Sequence, residues 1–472
     1  MPPRFVRKPV NTTNSSDIPE PQSEPPADAV PERRRLTLDL DVDVCIVGAG
    51  LAGLTVALEV ARMGASVAVL ESRQIGWNAS GHQLGSVLPG YGVPVEDLIG
   101  RLGIDHTREL WALSEQGVEH VRVTASEMAG AALLSATGAL EVSNVDRGDR
   151  LTERLQVLGE RFGARVEGWR ASEVRAALRT PRYFDAVHYP TAFQVDGRAY
   201  LAGLAMLARQ AGVRIFEDTP VVSIEASGIR KRIMTASARV RAAHLVLAGN
   251  IHLGAPSPRL TATLLPVWRY AAVTEPLGER LGQVVSFPGS VMDTDGIDHF
   301  RVVGGDRLVW MSPQTTWAGD PARYRRAIRR RIRTVFPTLG NVGLREVWSG
   351  AVGETVHGMP QIGELRPGLW VASGFGRQGL NTTALAGQLI ARGILWGDDR
   401  WRLFAPFELV WAGGRAGLVA GQIVAGWTRA SAAARGALAR WRERAALRES
   451  AREARVAAAN RQMGGNRDHI GR

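Results

Sequence analysis

A parallel α/β domain, interleaved with an α+β domain built on a mostly antiparallel sheet, is the fold class this sequence predicts. Three observations carry it. The apolar run Val42-Asp-Val-Cys-Ile-Val47 leads straight into Gly48-Ala-Gly50-Leu-Ala-Gly53. A helical pattern and a second apolar run ending at Glu71 follow, which makes a βαβ unit opening on a glycine turn. Further buried runs at Val240–Ala248 and Leu369–Ser373 are separated by segments that alternate like antiparallel strands.

The elements follow in order. Eight of the 24 prolines fall within the first 31 residues, so residues 1–37 read as a Pro-rich disordered arm. The arm lacks an apolar core and does not read as a secretory signal. Leu51 to Met63 has helical spacing and ends at Gly64. Ser66 to Glu71 is the second strand. Arg198 to Ala211 reads as a helix closed by Gly212, with strands at 213–216 and 220–225. Pro266–Pro276 alternates like an antiparallel strand, and 300–303 and 307–311 continue the pattern. Pro321–Phe336 is an Arg-rich amphipathic helix, and Thr382–Ile394 is the helix after the last buried strand. These elements divide the chain into a discontinuous nucleotide domain (38–95, 165–255 and 345–400), a substrate domain (96–164 and 256–344) and an Arg-rich helical extension (401–472).

Composition narrows the function. Of 472 residues, 45% are apolar and 22% charged, which fits a globular protein and excludes collagen-like or coiled-coil chains. The one cysteine, Cys45, can build no intrachain disulfide, zinc cage or iron–sulfur cluster, which points to a reducing, cytoplasmic setting. No Ser-His-Asp or metal constellation is visible. The net charge is +12, and residues 429–472 hold eleven Arg against four acids, so +7 of it lies there. That tail reads either as a solvated basic face or as a weak membrane-surface contact. No aromatic-interleaved module accompanies it, so no nucleic-acid partner is expected. The most apolar stretch, Ala416–Thr428, is 13 residues long, short of the ~20 a bilayer span needs.

The glycine turn carries chemistry. Gly48 permits the tight turn, Gly50 lets backbone approach a pyrophosphate, and Gly53 lets the helix pack on the strand. The helix N-terminus offers free N–H groups and partial positive charge to a phosphate. Glu71 can accept hydrogen bonds from ribose hydroxyls, and its charge repels a 2′-phosphate. The small loop Ser72 to Gly85 can pass under an extended dinucleotide, a feature that a bare NAD domain does not need.

At these residues the sequence resembles the D-amino-acid oxidase superfamily of FAD-dependent amine oxidoreductases. The branch it resembles is the gamma-glutamylputrescine oxidase-like group, related to sarcosine and glycine oxidases. The resemblance runs over residues 40–428 and rests on four motifs in order: VGAGLAGLTVALEVARMGASVAVLE, IGWNASGHQLG, GVRIFEDTPVVSIE followed by HLVLAGN, and WVASGFGRQGLNTTALAGQLIA. It implies a Rossmann-like FAD domain. FAD contacts are implied at Gly48, Gly50, Leu51, Ala52 and Gly53, then at Glu71, Ser72 and Arg73. The loop residues Ser80, Gly81, His82, Gln83, Leu84 and Gly85 are implied to lie beneath the flavin. Val221, Val222, Ala248, Gly249 and Asn250 form the middle segment. Gly374, Phe375, Gly376, Arg377, Gln378, Gly379 and Leu380 form the C-terminal flavin motif. His82, Gln83 and Leu84 depart from the family's usual arginine-asparagine-glycine, Gln378 stands where a histidine is common, and the run Gly353 to His357 differs from the usual middle.

The implied reaction removes hydride from the carbon beside an amine nitrogen of a small amine or amino acid, with oxygen or another acceptor reoxidising the flavin. Three residues are expected to act. Arg269 supplies a cation at the flavin face, for oxygen chemistry or for a substrate carboxylate. His82 lies at the flavin edge. Gln378 and its neighbours stabilise charge at the pyrimidine end. Trp268, Trp348 and His357 are candidate pocket walls. Alternation sends Trp268 and Arg269 to opposite faces. Two alternatives stay open: oxidation of a 2-hydroxy acid on the same fold, or a non-catalytic flavin-binding protein that uses its basic tail to reach a partner or membrane.

Overall fold

The computed structural model describes residues 34–128 and 132–465, so the expected arm at 1–37 lies mostly outside the described residues. Its last part does not. Leu36 is buried in a core of the nucleotide domain, and its N–H donates to Thr219 Oγ1 at 3.3 Å. Leu36 is therefore part of the folded domain, because its apolar side chain finds a buried site.

Five parallel strands form the centre of the first sheet, in the order Leu369–Ser373, Arg239–Leu247, Leu40–Val47, Val67–Leu70 and Arg214–Phe216. An antiparallel strand, Gln361–Arg366, closes one edge, and the hairpin Val221–Glu225/Lys231–Thr235 flanks Arg239–Leu247. Cys45 lies fully buried in the middle strand, and burial pushes its thiol pKa up, so it is an inert core residue. Helix Leu51–Arg62 packs across Gly379–Trp396, so closely that a Cβ at Gly387 would meet Thr55 Cγ2 at 2.5 Å. Helix Ile104–Ser126 covers the same core, and a Cβ at its Gly117 would lie 2.2 Å from Asn381 O.

The second sheet has nine strands and is antiparallel except where Ser290–Asp293 runs parallel to Leu133–Ser143. Its order begins Leu344–Glu354, Leu265–Thr274, Arg307–Thr315, His299–Val303. Helix Arg325–Val335 lays Ile328, Ile332 and Val335 on one face of it, over Trp310, Phe300 and Phe336. Phe300 and Trp310 stack at 4.4 Å. Truncating such a ring costs about 3–5 kcal/mol.

This sheet moves three expected domain boundaries. Glu167–Trp169 and Asp185–Val195, placed by the sequence in the nucleotide domain, pair within the second sheet; so do Ser86–Val87 and Leu344–Glu354. Conversely, helix Ile104–Ser126, placed in the substrate domain, covers the nucleotide-domain core. The cause is pairing partners far away in sequence, which local patterns do not encode. The C-terminal extension is a continuous helix, Gly414–Gly465.

Candidate active site

Two cavities open beside the carboxyl ends of the parallel strands, where open α/β sheets bind ligands. The first, about 340 Å³, lies over the glycine turn and runs past Glu71, Val221 and Gly249. The backbone here has no room to spare. A Cβ at Gly53 would sit 1.9 Å from Gly48 O, and one at Gly48, whose φ is +107°, would sit 2.8 Å from Ala248 O. Only glycine meets both demands. Gly50 differs: its Cβ would meet only the Ser80 hydroxyl, at 3.0 Å. Glu71 is buried, and its carboxylate accepts from the N–H of Ala49 and of Arg73, each at 2.9 Å, and from Trp77 Nε1 at 3.1 Å. The acid that ends the second strand is thus fixed to the glycine turn it faces.

The second cavity, about 320 Å³, lies between the two sheets. Leu51, Ala79, Ser80, Asn250, Phe375 and Thr383 line both cavities, so the two form one extended trough. Ser80 Oγ accepts from Leu51 N at 3.1 Å and holds the loop against the helix start. Asn78 clamps that loop to the second sheet through Ala351, with Nδ2 donating at 3.0 Å and Oδ1 accepting at 2.9 Å. Residues of this wall carry buried polar atoms without a protein partner among the described residues, Asn250 Oδ1, Arg269 Nε, Gln314 Oε1 and Gln378 Oε1 among them. Buried polar groups are normally paired, so a wall with several orphans fits a polar ligand that supplies the partners.

The distal wall is charged. Arg269 Nη2 donates to Glu354 Oε1 at 2.8 Å. Burial draws the Arg269 pKa down, and Glu354 partly offsets this. Arg154 holds Glu141 in a bidentate pair at 2.9 and 2.8 Å, with Tyr189 Oη adding a 3.3 Å bond. Burial opposes the Glu141 charge, but Arg154, together with Arg147 and Arg377, outweighs it and keeps the carboxyl below its ordinary pKa. Arg377, by contrast, makes no hydrogen bond or ion pair among the described residues; its guanidinium lies over Gly296. His299 Nε2 lies 2.8 Å from Ser86 Oγ. Burial, aided by Arg301, Arg269 and Arg377, pushes its pKa down to about 3. Burial and the neighbouring Asp298 raise Asp293 to about 7.

Comparison with known proteins identifies this arrangement. The model of the DAO family, described as FAD dependent oxidoreductase, matches residues 43–392. The chain belongs to that family. It is similar to the probable oxidoreductase OrdL of Haemophilus influenzae, at 28% identity over 78% of this chain and 86% of that protein. It is equally similar, at 28%, to the gamma-glutamylputrescine oxidoreductase of Escherichia coli, over 78% of this chain and 87% of that one. Among solved structures it resembles a glycine oxidase from Geobacillus kaustophilus, with a TM-score of 0.63, 23% identity, and coverage of 79% and 99%. That likeness bears on the fold alone.

As a DAO-family oxidoreductase the protein uses FAD, and the trough fits it: a cradle free of Cβ atoms, an acid fixed beside it, and orphaned polar atoms further along. Of the expected FAD contacts, Gly48, Gly50, Ala52, Ser72, Ala248 and Gly249 line the first cavity. Leu84, Gly85, Gly376, Gly379 and Leu380 line the second. Others stand back. Gly53 and Gly81 are packing glycines, the latter with its Cβ position 2.2 Å from Gly76 O; Arg73 lies over the Trp77 ring at 4.4 Å; and Gly374 abuts Thr355. The Val222 side chain is exposed and points away, because strand alternation gives Val221 the cavity side.

The three residues expected to act, Arg269, His82 and Gln378, all line the second cavity. His82 donates from Nδ1 to Asn78 O at 2.9 Å, since a carbonyl can only accept. Gln83 accepts from Gly85 N at 3.1 Å. The candidate pocket walls do not line it. Trp268 packs on the core of the second domain, Trp348 donates to His82 O at 3.1 Å, and His357 sits against Phe407 and Glu408. In their place stand Trp111, Tyr189, Glu141, Arg154, Met292 and His299, which sequence reasoning missed.

Proposed function

We propose that this FAD-dependent oxidoreductase oxidises the C–N bond of a small amine or amino acid, with oxygen or another acceptor taking the electrons. FAD, when bound, supplies the hydride acceptor. The residues singled out by the FAD motifs hold it along the trough. The chain's own groups do the rest. Arg377, the cation of the cavity wall with no hydrogen-bond or ion-pair partner among the described residues, binds the anionic end of a substrate. Arg269, already neutralised by Glu354, contributes a compensated charge at the cavity wall. His299, kept neutral by burial, can take part in a hydrogen bond without adding positive charge beside an amine. Gln378 and His82 line the same cavity, where His82 in its neutral form, its Nδ1–H given to Asn78 O, offers Nε2 as an acceptor.

The observation that carries this reading is the contrast between Arg377 and Arg269. A 2-hydroxy acid with a second carboxylate calls for two free arginines. Of the three that line the cavity, Arg269 and Arg154 are both engaged by carboxylates. The names of the relatives, which act on an amine and on glycine, agree with it.

Product analysis tests it. With an amino acid as substrate, oxidation at the C–N bond releases a 2-oxo acid and ammonia, or an aldehyde and an amine if the nitrogen is secondary. Arg377→Met is expected to raise KM for carboxylate-bearing substrates by about 10²-fold, the cost of one charged contact, with kcat changed little. Oxidation of 2-hydroxy acids in preference to all amines would refute the reading.

A further inference from the structure

The C-terminal helix Gly414–Gly465 has two opposed faces. One face docks on the protein. Thr316 N donates to Gln422 Oε1 and Thr316 Oγ1 to Leu418 O, at 3.1 and 2.7 Å. Arg429 Nη1 donates to Gln314 O at 3.1 Å, Arg435 pairs with Asp295, and Arg175 pairs with Glu443. Ala432 and Gly436 are buried on this side, so the contact extends through several turns.

Among the described residues, the other face is left exposed. At 100° per residue, Val419, Ile423, Trp427, Leu438 and Trp441 share one stripe about 100° wide. It lies opposite Leu418, Gln422, Ala432 and Gly436. Ile423 is 67% exposed, Trp427 74% and Trp441 65%. From Val419 to Trp441 the stripe runs about 33 Å. Monomeric proteins rarely expose a contiguous apolar strip of this kind without a partner.

Charge decides what the partner is. Arg442 edges the stripe on one side, with Glu449 and Glu453 further along that edge, and Arg415 and Arg444 edge it on the other. Arg448 and Arg452 follow on the stripe itself, where the apolar run ends. A second copy of this chain laid on the stripe would bring two net-positive faces together, their repulsion offset only in part by Glu449 and Glu453. An anionic lipid surface satisfies both features: it takes the apolar ridge into the acyl boundary and the arginines at headgroup level, where tryptophan is also at ease. No helix among the described residues is long and apolar enough to cross a membrane, so the helix would lie in the surface plane.

We propose that the face of Gly414–Gly465 carrying Val419, Ile423, Trp427, Leu438 and Trp441 is an interfacial anchor for anionic membrane. This does not rest on the substrate assignment. The docked face of the same helix holds the backbone of Gln314, a residue of the cavity wall, so the anchor sits on the element that borders the active site.

The test is co-sedimentation of the full-length FAD-loaded protein with phosphatidylcholine vesicles, with and without about one-third phosphatidylglycerol. Binding is expected to the mixed vesicles only, with a blue shift of tryptophan emission. It is expected to weaken with salt, because exposed charges are screened within about 8–10 Å at 0.1–0.15 M. The double variant I423E/W427E is expected to bind about tenfold or more weakly, since it sets charge into the buried ridge. R442E/R444E should weaken binding at least as much at low salt. Both should keep FAD content and melting temperature, which shows that the fold survives. Equal sedimentation of wild type and I423E/W427E would overturn the proposal. So would failure of the wild type to bind mixed vesicles, or a wild-type dimer in analytical ultracentrifugation that I423E/W427E abolishes; the last result would assign the face to a second copy.

Discussion

Arg269 and Glu354, 85 residues apart in the chain, meet at 2.8 Å on neighbouring strands of the second sheet, Nη2 donating to Oε1. The pair fixes a guanidinium at the cavity wall while cancelling its charge. Arg269→Met is expected to retain FAD but to slow one half-reaction by about 10²-fold, because it removes the guanidinium and leaves the Glu354 carboxylate unpaired at the cavity wall. Slowed reoxidation with unchanged reduction assigns Arg269 to the acceptor step. Unchanged rates in both half-reactions contradict a role for it. Glu354→Gln should cost about 1.5–3 kcal/mol of stability, as a charged hydrogen bond is lost beside a buried cation; thermal melts of the two variants and their double mutant measure the coupling.

The glycines of the turn separate folding from cofactor binding. Gly53→Ala forces a Cβ to within 1.9 Å of Gly48 O, so poor expression or a large fall in melting temperature is expected. Gly50→Val meets only the movable Ser80 side chain and should fold, yet its side chain fills the space beside the helix start where a pyrophosphate lies. Acid extraction and chromatography should find little FAD in purified Gly50→Val. A full complement of FAD there would contradict the assignment of the cradle.

Two buried groups give opposed pH dependences. His299 titrates near 3 in the folded chain against 6.5 ordinarily, so its contribution is present above about pH 6.5 and is lost as pH falls toward 3. Asp293, raised to about 7 from 3.8, contributes below about pH 4 and loses that contribution as pH rises through 7. Each slope reaches about 1.4 kcal/mol per pH unit, and between about pH 4 and 6.5 they oppose. His299→Asn should therefore make stability fall with rising pH relative to wild type across that range, and Asp293→Asn should do the reverse. Denaturant melts at pH 4.5 and 6.5 check it; parallel shifts in both variants would contradict the burial of these groups.

Leu36 supplies a simpler check. It lies just beyond the proline-rich N-terminal segment, yet it is buried, and Arg34 O accepts from Glu217 N at 3.0 Å. Leu36→Ala is expected to cost about 2–3 kcal/mol, the low end for a buried leucine. An unchanged melting temperature would show that the segment does not dock.

The nucleotide half of the site was legible because its signal is local. Strand, glycine turn, helix and Glu71 follow within about thirty residues, and Gly53 answers a contact inside that unit, with Gly48 O, although Gly48 itself answers Ala248 and Gly50 answers Ser80. Alternation sent Trp268 and Arg269 to opposite faces, and the family resemblance chose Arg269 for the cavity side; Arg269 lines the cavity, while Trp268, also a candidate wall, packs on the core. The distal wall was not legible. Glu354 reaches Arg269 across 85 residues, and Ser86 reaches His299 across 213, through strand pairings that no local pattern encodes. Trp348 and His357 failed as pocket walls for the same reason: an aromatic or imidazole next to a motif says nothing of which way register turns it.

The most direct test of the central claim is anaerobic mixing of the FAD-loaded protein with a panel of amines, amino acids and 2-hydroxy acids, followed by flavin absorbance. The account predicts that at least one amine or amino acid bleaches the flavin, that 2-hydroxy acids do not, and that Arg377→Met needs a far higher concentration of any carboxylate-bearing substrate. Bleaching by 2-hydroxy acids alone, or by nothing in the panel, would contradict it.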